Sequence, residues 1–306
     1  MAVTTTPESP AAVAAGAAAG APRHVTTASR SVMAASRTAL GALVRRDLAV
    51  LRKNFGEFVA RTLVQPFLLV FTFLYVFPTI GQGVGGGSAG GPGAESAFAT
   101  VLVPGVVGIA IMFQGVQAVA MVMAQEFGFT REIEDRVQAP CPIWLVAVAK
   151  VLSGAVQGVL AALIVFPIAM VVHAEDVEMH FTVQWWIAIT LIPLFCIMMS
   201  SLGLVLGTKF EPRNIGLMFG FVVLPVTFLG GTYYQWTALD SVEVGGFPWL
   251  QTLVLVNPLI YVNEGMRAAF THAEHMHLYV IYPVALAFCA AFLYEGLRGF
   301  RKRVLS

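Results

Sequence analysis

The chain has 306 residues, of which 58% are hydrophobic and only 11% charged, and its mean hydropathy is +0.78. Soluble domains carry about 25% charged residues, so this composition excludes a soluble globular protein and predicts a polytopic membrane protein. The net charge of +1 argues against a nucleic-acid partner, because phosphate binding requires a basic surface. The three cysteines, Cys141, Cys196 and Cys289, indicate no disulfide framework.

The chain begins with an Ala-rich stretch that has no features of a membrane segment. The first 22 residues contain three prolines and neither Lys nor Arg. A secretory signal starts with basic residues and has a Leu-rich centre. Residues 1–35 are therefore predicted to form a disordered cytoplasmic tail.

Residues 36–61 show the pattern of an amphipathic helix. Apolar side chains from Leu40 to Phe58 recur at three- and four-residue steps. The basic residues on the other faces are Arg45, Arg46, Arg52 and Lys53. This pattern predicts an interfacial helix on the inner membrane surface, with its cations at anionic headgroups. A soluble helix packed on a partner protein is the alternative.

Residues 62–306 contain six apolar runs, each close to the roughly 20 residues that cross a bilayer. The runs are Thr62–Ile80, Phe98–Met123, Val151–Val172, Trp185–Gly207, Ile215–Tyr234 and Leu278–Leu297. With six spans, every Lys and Arg except Arg267 falls on one side of the membrane. Basic residues mark the cytoplasmic side, so both termini are predicted to be cytoplasmic.

The centres of the six runs lack Asp, Glu, Lys and Arg, and their polar residues are neutral groups such as Gln114 and Thr227. The nearest acids, Glu126 and Glu295, are expected to reach water at the cytoplasmic ends. A proton-driven transporter places an acid at membrane depth, so a secondary transporter or channel is the less favoured interpretation. A membrane-embedded enzyme would need a convergent polar site.

Two polar stretches invite comparison with a phosphate-binding loop and a metal site. Gly81–Gly93 is rich in glycine but lacks the Lys-Ser/Thr of a phosphate-binding loop, so it is predicted to be an external linker. His272, Glu274, His275 and His277 could offer metal ligands, but no complete ligand set is evident, and no metal site is predicted.

After the second run, the sequence predicts a charged cytoplasmic helix over Gln125–Ala139, which Pro140 and Pro142 would end. Its sequence "TREIEDR", followed by "APCP" and Lys150, resembles the cytoplasmic coupling region of type-2 ABC exporter permeases. After the fifth run, "FLGGTYY", "FPWLQ" and "NPLIYVNEGMR" follow in that family's order. The resemblance covers nearly the whole chain from about Ser36; the Ala-rich tail and the glycine-rich linker depart from it.

The resemblance implies the membrane subunit of an ATP-driven exporter in the inner (plasma) membrane. Two such subunits, identical or paralogous, would form the pathway, with two ATP-binding cassette subunits docked below. ATP and Mg would bind to those partners, because this sequence contains no phosphate-binding loop. A hydrophobic or amphipathic substrate such as a drug or lipid is expected, and a polysaccharide or lipid-linked glycan is the alternative.

The resemblance also implies roles for individual residues. The expected ATPase-coupling residues are Glu126, Arg131, Glu132, Glu134, Asp135 and Arg136. Two short re-entrant helices would dip into the outer leaflet between spans five and six, the second starting at Asn257 or Pro258. There, Glu264 and Arg267 would pair with each other or contact a substrate headgroup. Residues named as lining the pathway are Gln117, Met218, Phe219, Phe221 and Phe228.

Overall fold

The computed structural model describes residues 32–80, 94–128, 142–172, 181–243 and 246–305. They form helices joined by loops, so the all-α prediction is confirmed for this part of the chain. The helices are α1 (Val32–Lys53), α2 (Phe55–Thr79), α3 (Ala94–Gly128), α4 (Ile143–Val171), α5 (Trp185–Lys209), α6 (Pro212–Phe228), α7 (Trp249–Leu253), α8 (Pro258–Phe270) and α9 (Leu278–Leu305).

Five of the six predicted spans are helices that are long and apolar enough to cross a membrane, namely α2, α3, α4, α5 and α9. Helix α2 contains a buried proline, Pro66, and a π-helical turn at Phe71–Val76. The spans extend beyond the hydrophobic runs at most ends, because helical hydrogen bonding continues into the flanking polar residues. Helix α3 starts four residues before Phe98 and ends five residues after Met123.

The fifth predicted span, Ile215–Tyr234, differs from the expectation. Helix α6 ends at Phe228 and changes from 3₁₀ to α to π geometry along its length, with the π turn at Phe219–Val223. Its 17 residues measure about 26 Å, slightly less than a bilayer core of about 30 Å. The glycines that follow explain the early end, since Gly231 has φ of 69°, which favours glycine.

The helix that was expected to be interfacial also ends earlier than predicted. Helix α1 ends at Lys53, and residues 55–61 belong to α2. Asn54 separates the two helices with φ of −106° and ψ of 27°. A short polar residue tolerates this interruption, because it loses little packing when it leaves helical geometry. Helix α1 begins at Val32, inside the segment predicted to be a disordered tail.

Helix α3 is the centre of the bundle and packs against α2, α4, α5 and α8, while α5 also packs against α9. Small residues bring these helices close together. A Cβ atom on Gly203 of α5 would lie 2.8 Å from the carbonyl oxygen of Val116 in α3. Such close approach is typical of membrane helices, which gain van der Waals contact where side chains are small.

Several predicted features lie outside the described residues. These are most of the tail (1–31), the glycine-rich linker at 81–93, and the charged segment at 129–141 with Arg131, Glu132, Glu134, Asp135 and Arg136. Within the described part of the chain, no three His, Cys, Asp or Glu side chains come close enough to hold a metal ion.

Candidate functional site

Helix α8 follows the Asn-Pro pair of the motif "NPLIYVNEGMR". Asn257 is its N-cap: the side-chain oxygen accepts a hydrogen bond of 2.9 Å from Leu259 N, and Pro258 occupies the first helical position. Both residues suit these positions, because the cap satisfies an otherwise unpaired amide and proline has no amide to lose. The predicted start of this helix is confirmed.

Glu264 and Arg267 form an ion pair that is completely buried. Arg267 Nη1 donates to Glu264 Oε1 over 2.8 Å, and both side chains are 0% exposed. Arg267 Nη2 also donates to the carbonyl oxygen of Gly231. A buried charge needs such partners, because removing it from water is costly.

The Glu264 carboxylate also joins two loops to α8. Its Oε1 accepts from the backbone amide of Trp236 at 2.9 Å, and its Oε2 accepts from the amide of Met276 at 2.9 Å. Trp236 precedes α7, whereas Met276 precedes α9. One side chain therefore holds the chain on both sides of α8.

Two asparagines complete the contacts between α8 and the end of α6. Asn263 Nδ2 donates to Gly230 O at 2.7 Å and to Thr232 Oγ1 at 3.1 Å. Asn257 Nδ2 donates to Val226 O at 2.7 Å. On the opposite side, Gly108 of α3 leaves room for the Asn263 amide, which a Cβ there would overlap. We call Asn257, Asn263, Glu264 and Arg267 the α8 network.

The pKa of Arg267 is lowered by burial, and the neighbouring Glu264 carboxylate opposes that shift. Every residue of α8 is buried, including those of its polar face. In this structure, Glu264 and Arg267 pair with each other.

A second buried polar cluster lies at the predicted cytoplasmic ends of α3 and α4. Lys150 Nζ donates to Glu126 Oε1 at 2.8 Å and lies 3.6 Å from Asp47 Oδ2. Ser153 Oγ donates to the same Asp47 oxygen at 3.1 Å. This Lys150 network, defined as Asp47, Glu126, Lys150 and Ser153, ties α1 to α3 and α4.

The Lys150 network borders a cavity of about 320 Å³ beneath α1. Arg46, Asn54, Arg61 and Gln157 also line this cavity. Cationic and anionic side chains are mixed around it, so the cavity has no strong preference for one sign of charge.

The structure changes the interpretation of Glu126. This residue was expected to reach water and to belong to a separate coupling helix, but it lies in α3, is 5% exposed and contacts Lys150. The expectation of solvent access is wrong because the lysine of α4 needs a buried counter-charge. Sequence reasoning missed Asp47 and Ser153; a lysine eight positions into an apolar helix was the signal that an acid must pack against it.

The other predicted residues fall into two groups. The interfacial cations Arg45, Arg46, Arg52 and Lys53 are exposed. Of the residues named as pathway lining, Phe221 and Phe228 are exposed, Phe219 is half-buried and Gln117 borders a small cleft between α2 and α3. Met218 is completely buried in the core of the bundle.

The fold and its polar networks define a polytopic helical membrane protein that lacks a nucleotide-binding loop in its sequence. A family model described as ABC-2 type transporter matches residues 38–271. The chain belongs to this family. It is 26% identical over 243 residues to the inner membrane transport permease YadH of Escherichia coli K12, and equally to that of Shigella flexneri, covering 78% of this chain and 87% of each relative.

Membership of this family establishes the general role of the chain. It is a permease subunit of an ABC transporter, and ATP hydrolysis takes place in a separate ATP-binding cassette subunit. The apolar helices and the inner-membrane relatives place it in the inner membrane with several spans. The ABC-permease identity inferred from "TREIEDR" and "NPLIYVNEGMR" is therefore confirmed.

Proposed function

We propose that this permease exports a hydrophobic or amphipathic molecule, such as a drug or lipid, from the cytoplasm or inner leaflet. The observation that carries the proposal is the exposed aromatic face of two helices. Phe67, Phe71 and Tyr75 stack in series along α2, with ring centroids 5.8 and 5.3 Å apart. On α6, Phe221 and Phe228 are 79% and 63% exposed.

These aromatic side chains support an apolar pathway between two permease subunits. Isolated exposed aromatics in a membrane contact lipid, but here α2 and α6 each combine exposed aromatic side chains with a π-helical turn, and those on α2 stack in a row. π-helical turns recur at functional sites because they displace side chains from regular helical positions. A second subunit, identical or paralogous, would face these two helices and enclose the pathway.

Six spans and cytoplasmic termini belong to the same proposal. Helix α6 would act as the fifth span, and α7 and α8 would form the re-entrant pair at the external end. The α8 network supports this arrangement, because irregular backbone at membrane depth must be satisfied by protein groups. Glu264 and Arg267 then maintain the structure of the external gate.

Coupling to the ATPase is assigned to the charged segment after α3 and to α1. Closure of the ATP-binding subunits would push this segment, and the Lys150 network would transmit the displacement from α3 and α4 to α1. Charge reversal of Glu132 and Glu134 to Lys should reduce co-purification of the ATPase from mild detergent while membrane insertion is retained. Unchanged association and unchanged transport would remove the segment from the coupling mechanism.

The substrate class is tested with the permease and its ATPase reconstituted in liposomes. Apolar or amphipathic compounds should stimulate ATP hydrolysis, and Phe221→Ala with Phe228→Ala should reduce that stimulation several-fold. Phe247→Ala is the matched control, because Phe247 is an exposed aromatic outside α2 and α6. Stimulation by a lipid-linked glycan instead would support the alternative substrate, and an ATP-independent ion-driven flux would contradict the proposal.

A further inference from the structure

A wide groove opens between the predicted cytoplasmic ends of α4 and α9. Its volume is about 1040 Å³, at the upper end of the roughly 300–1,000 Å³ typical of small-molecule pockets. The residues that define it are Trp144, Tyr294, Leu297, Arg298, Arg301 and Lys302. Among its described lining residues, none is acidic, in contrast to the mixed charges of the cavity beneath α1.

Helical periodicity places these side chains on one face of α9. Tyr294, Arg298 and Arg301 are separated by four and three residues, so they form a continuous stripe. Phe300 lines the groove as well, although it is completely buried and its ring packs against Phe127. Arg303 leaves the groove face, since it donates to the carbonyl oxygens of Gly207 and Phe210 at 2.9 Å.

The three groove cations have no ion-pair partner in the described part of the chain. Arg298, Arg301 and Lys302 are exposed, and across the described ranges no carboxylate forms an ion pair with them. Arg303 and Lys150, by comparison, have protein partners. Cations are favourable at a helix C-terminus, which accounts in part for the basic residues at the end of α9. It does not account for the aromatic side chains beside them.

The groove also contains two exposed aromatic side chains. Trp144 is 53% exposed and Tyr294 is 66% exposed. Trp and Tyr favour the level of the lipid headgroups, where an apolar ring meets a polar boundary. Basic pockets between membrane helices on the cytoplasmic side suit anionic headgroups.

We propose that this groove binds an anionic phospholipid of the inner leaflet. Arg298, Arg301 and Lys302 hold the phosphate, since guanidinium groups bind phosphate oxygens through paired hydrogen bonds. An acyl chain lies along Trp144, Tyr294 and Leu297. Charge complementarity favours this occupant over a zwitterionic lipid. The site is separate from the aromatic faces of α2 and α6, so it does not depend on which substrate is exported.

The test uses the purified full chain in neutral detergent, titrated with phosphatidylglycerol that carries brominated acyl chains. Bromine quenches nearby tryptophan, and the difference between wild type and Trp144→Phe isolates the signal of Trp144. Phosphatidylcholine with the same chains is the lipid control. Phosphatidylglycerol should quench Trp144 at lower lipid fractions than phosphatidylcholine does.

Replacement of Arg298, Arg301 and Lys302 by Gln should lower the affinity for phosphatidylglycerol roughly one hundredfold, because each cation near an anionic headgroup contributes about fivefold. The matched control replaces three exposed cations of α1, Arg45, Arg52 and Lys53, by Gln and should preserve quenching of Trp144. If the triple groove variant does not fold, Arg301→Gln alone should show the fivefold loss.

Equal quenching by both lipids would overturn the proposal, as would unchanged phosphatidylglycerol quenching in the groove variant. A variant that keeps its lipid response but loses the ATPase subunit would identify the groove as a protein-docking surface. That result would also overturn the proposal.

Discussion

At the scale of single residues, Glu264 has the greatest structural influence of the described acids in α8 and its loops. It has a buried cation and two loop amides as partners. Removal of one member of a buried ion pair costs about 3–5 kcal/mol, because the remaining charge is left without compensation. The same reasoning explains why Arg267, the single external cation of the predicted topology, is tolerated at that position.

Glu264→Gln should therefore destabilise the protein by roughly 3 kcal/mol, measured as a lower thermal unfolding midpoint in detergent. Glu211→Gln is the control, because the Glu211–Arg213 pair is exposed (61% and 84%) and such pairs contribute about 0–1 kcal/mol. Equal effects of the two substitutions would show that the Glu264–Arg267 pair does not stabilise the protein.

Two helical glycines provide a second comparison at the residue scale. Gly203→Ala places a Cβ 2.8 Å from the Val116 carbonyl, so α3 and α5 must move apart and stability should fall by about 1–3 kcal/mol. Gly216→Ala meets no atom within 4 Å, so it should be neutral or stabilising by up to about 1 kcal/mol. The thermal unfolding midpoints of both variants test this prediction. Equal midpoints would contradict close packing of α3 on α5 at Gly203.

At the scale of elements, the Lys150 network determines how α1 is held to the bundle. Asp47 is the α1 member of this network, while Lys150 keeps Glu126 as a second partner. Because Glu126 of α3 also pairs with Lys150 of α4, loss of Asp47 would not leave that lysine without a counter-charge. The contact between Asp47 and Lys150 therefore concerns the position of α1 more than the packing of α3 on α4.

Asp47→Asn should accordingly loosen α1 and leave α3 and α4 intact. Backbone amides of residues 36–53 should exchange hydrogen several-fold faster in mass-spectrometric exchange, whereas those at the predicted cytoplasmic ends of α3 and α4 should not change. Arg45→Gln, on the same helix but exposed, serves as the control. Faster exchange in α4 as well would mean that Asp47 stabilises the whole bundle rather than the position of α1.

At the scale of the whole molecule, the sidedness of the chain depends on α6. Among the described residues, five helices are long enough to span the membrane, and α6 is shorter. If α6 crosses, the chain has six spans and both ends lie on the cytoplasmic side. If it does not, the two ends lie on opposite sides.

Single cysteines introduced at Ser36 and Arg303, in a chain whose native cysteines are replaced, should both be protected from a membrane-impermeant thiol reagent in right-side-out vesicles. A third cysteine at Glu274 should be labelled, since it lies in the loop between α8 and α9. Labelling at only one of the two ends would contradict a six-span arrangement.

The sequence alone determined the class of protein, the positions of five spans and the start of α8. These properties are local: a run of apolar residues long enough for the bilayer forms a helix wherever it occurs, and Asn-Pro starts the next helix through its own backbone chemistry. The resemblance of "TREIEDR" and "NPLIYVNEGMR" to a permease family added the functional class, because those motifs are also continuous in sequence.

Tertiary structure alone decided which polar residues work together. Asp47 and Lys150 are far apart in the sequence. Glu264 of α8 contacts Trp236, which precedes α7. No local sequence pattern could therefore pair these residues. The burial of Met218 and of the polar face of α8 likewise depends on neighbouring helices. A buried charge or a core position is defined by the groups packed around it, and in this protein those groups come from distant parts of the chain.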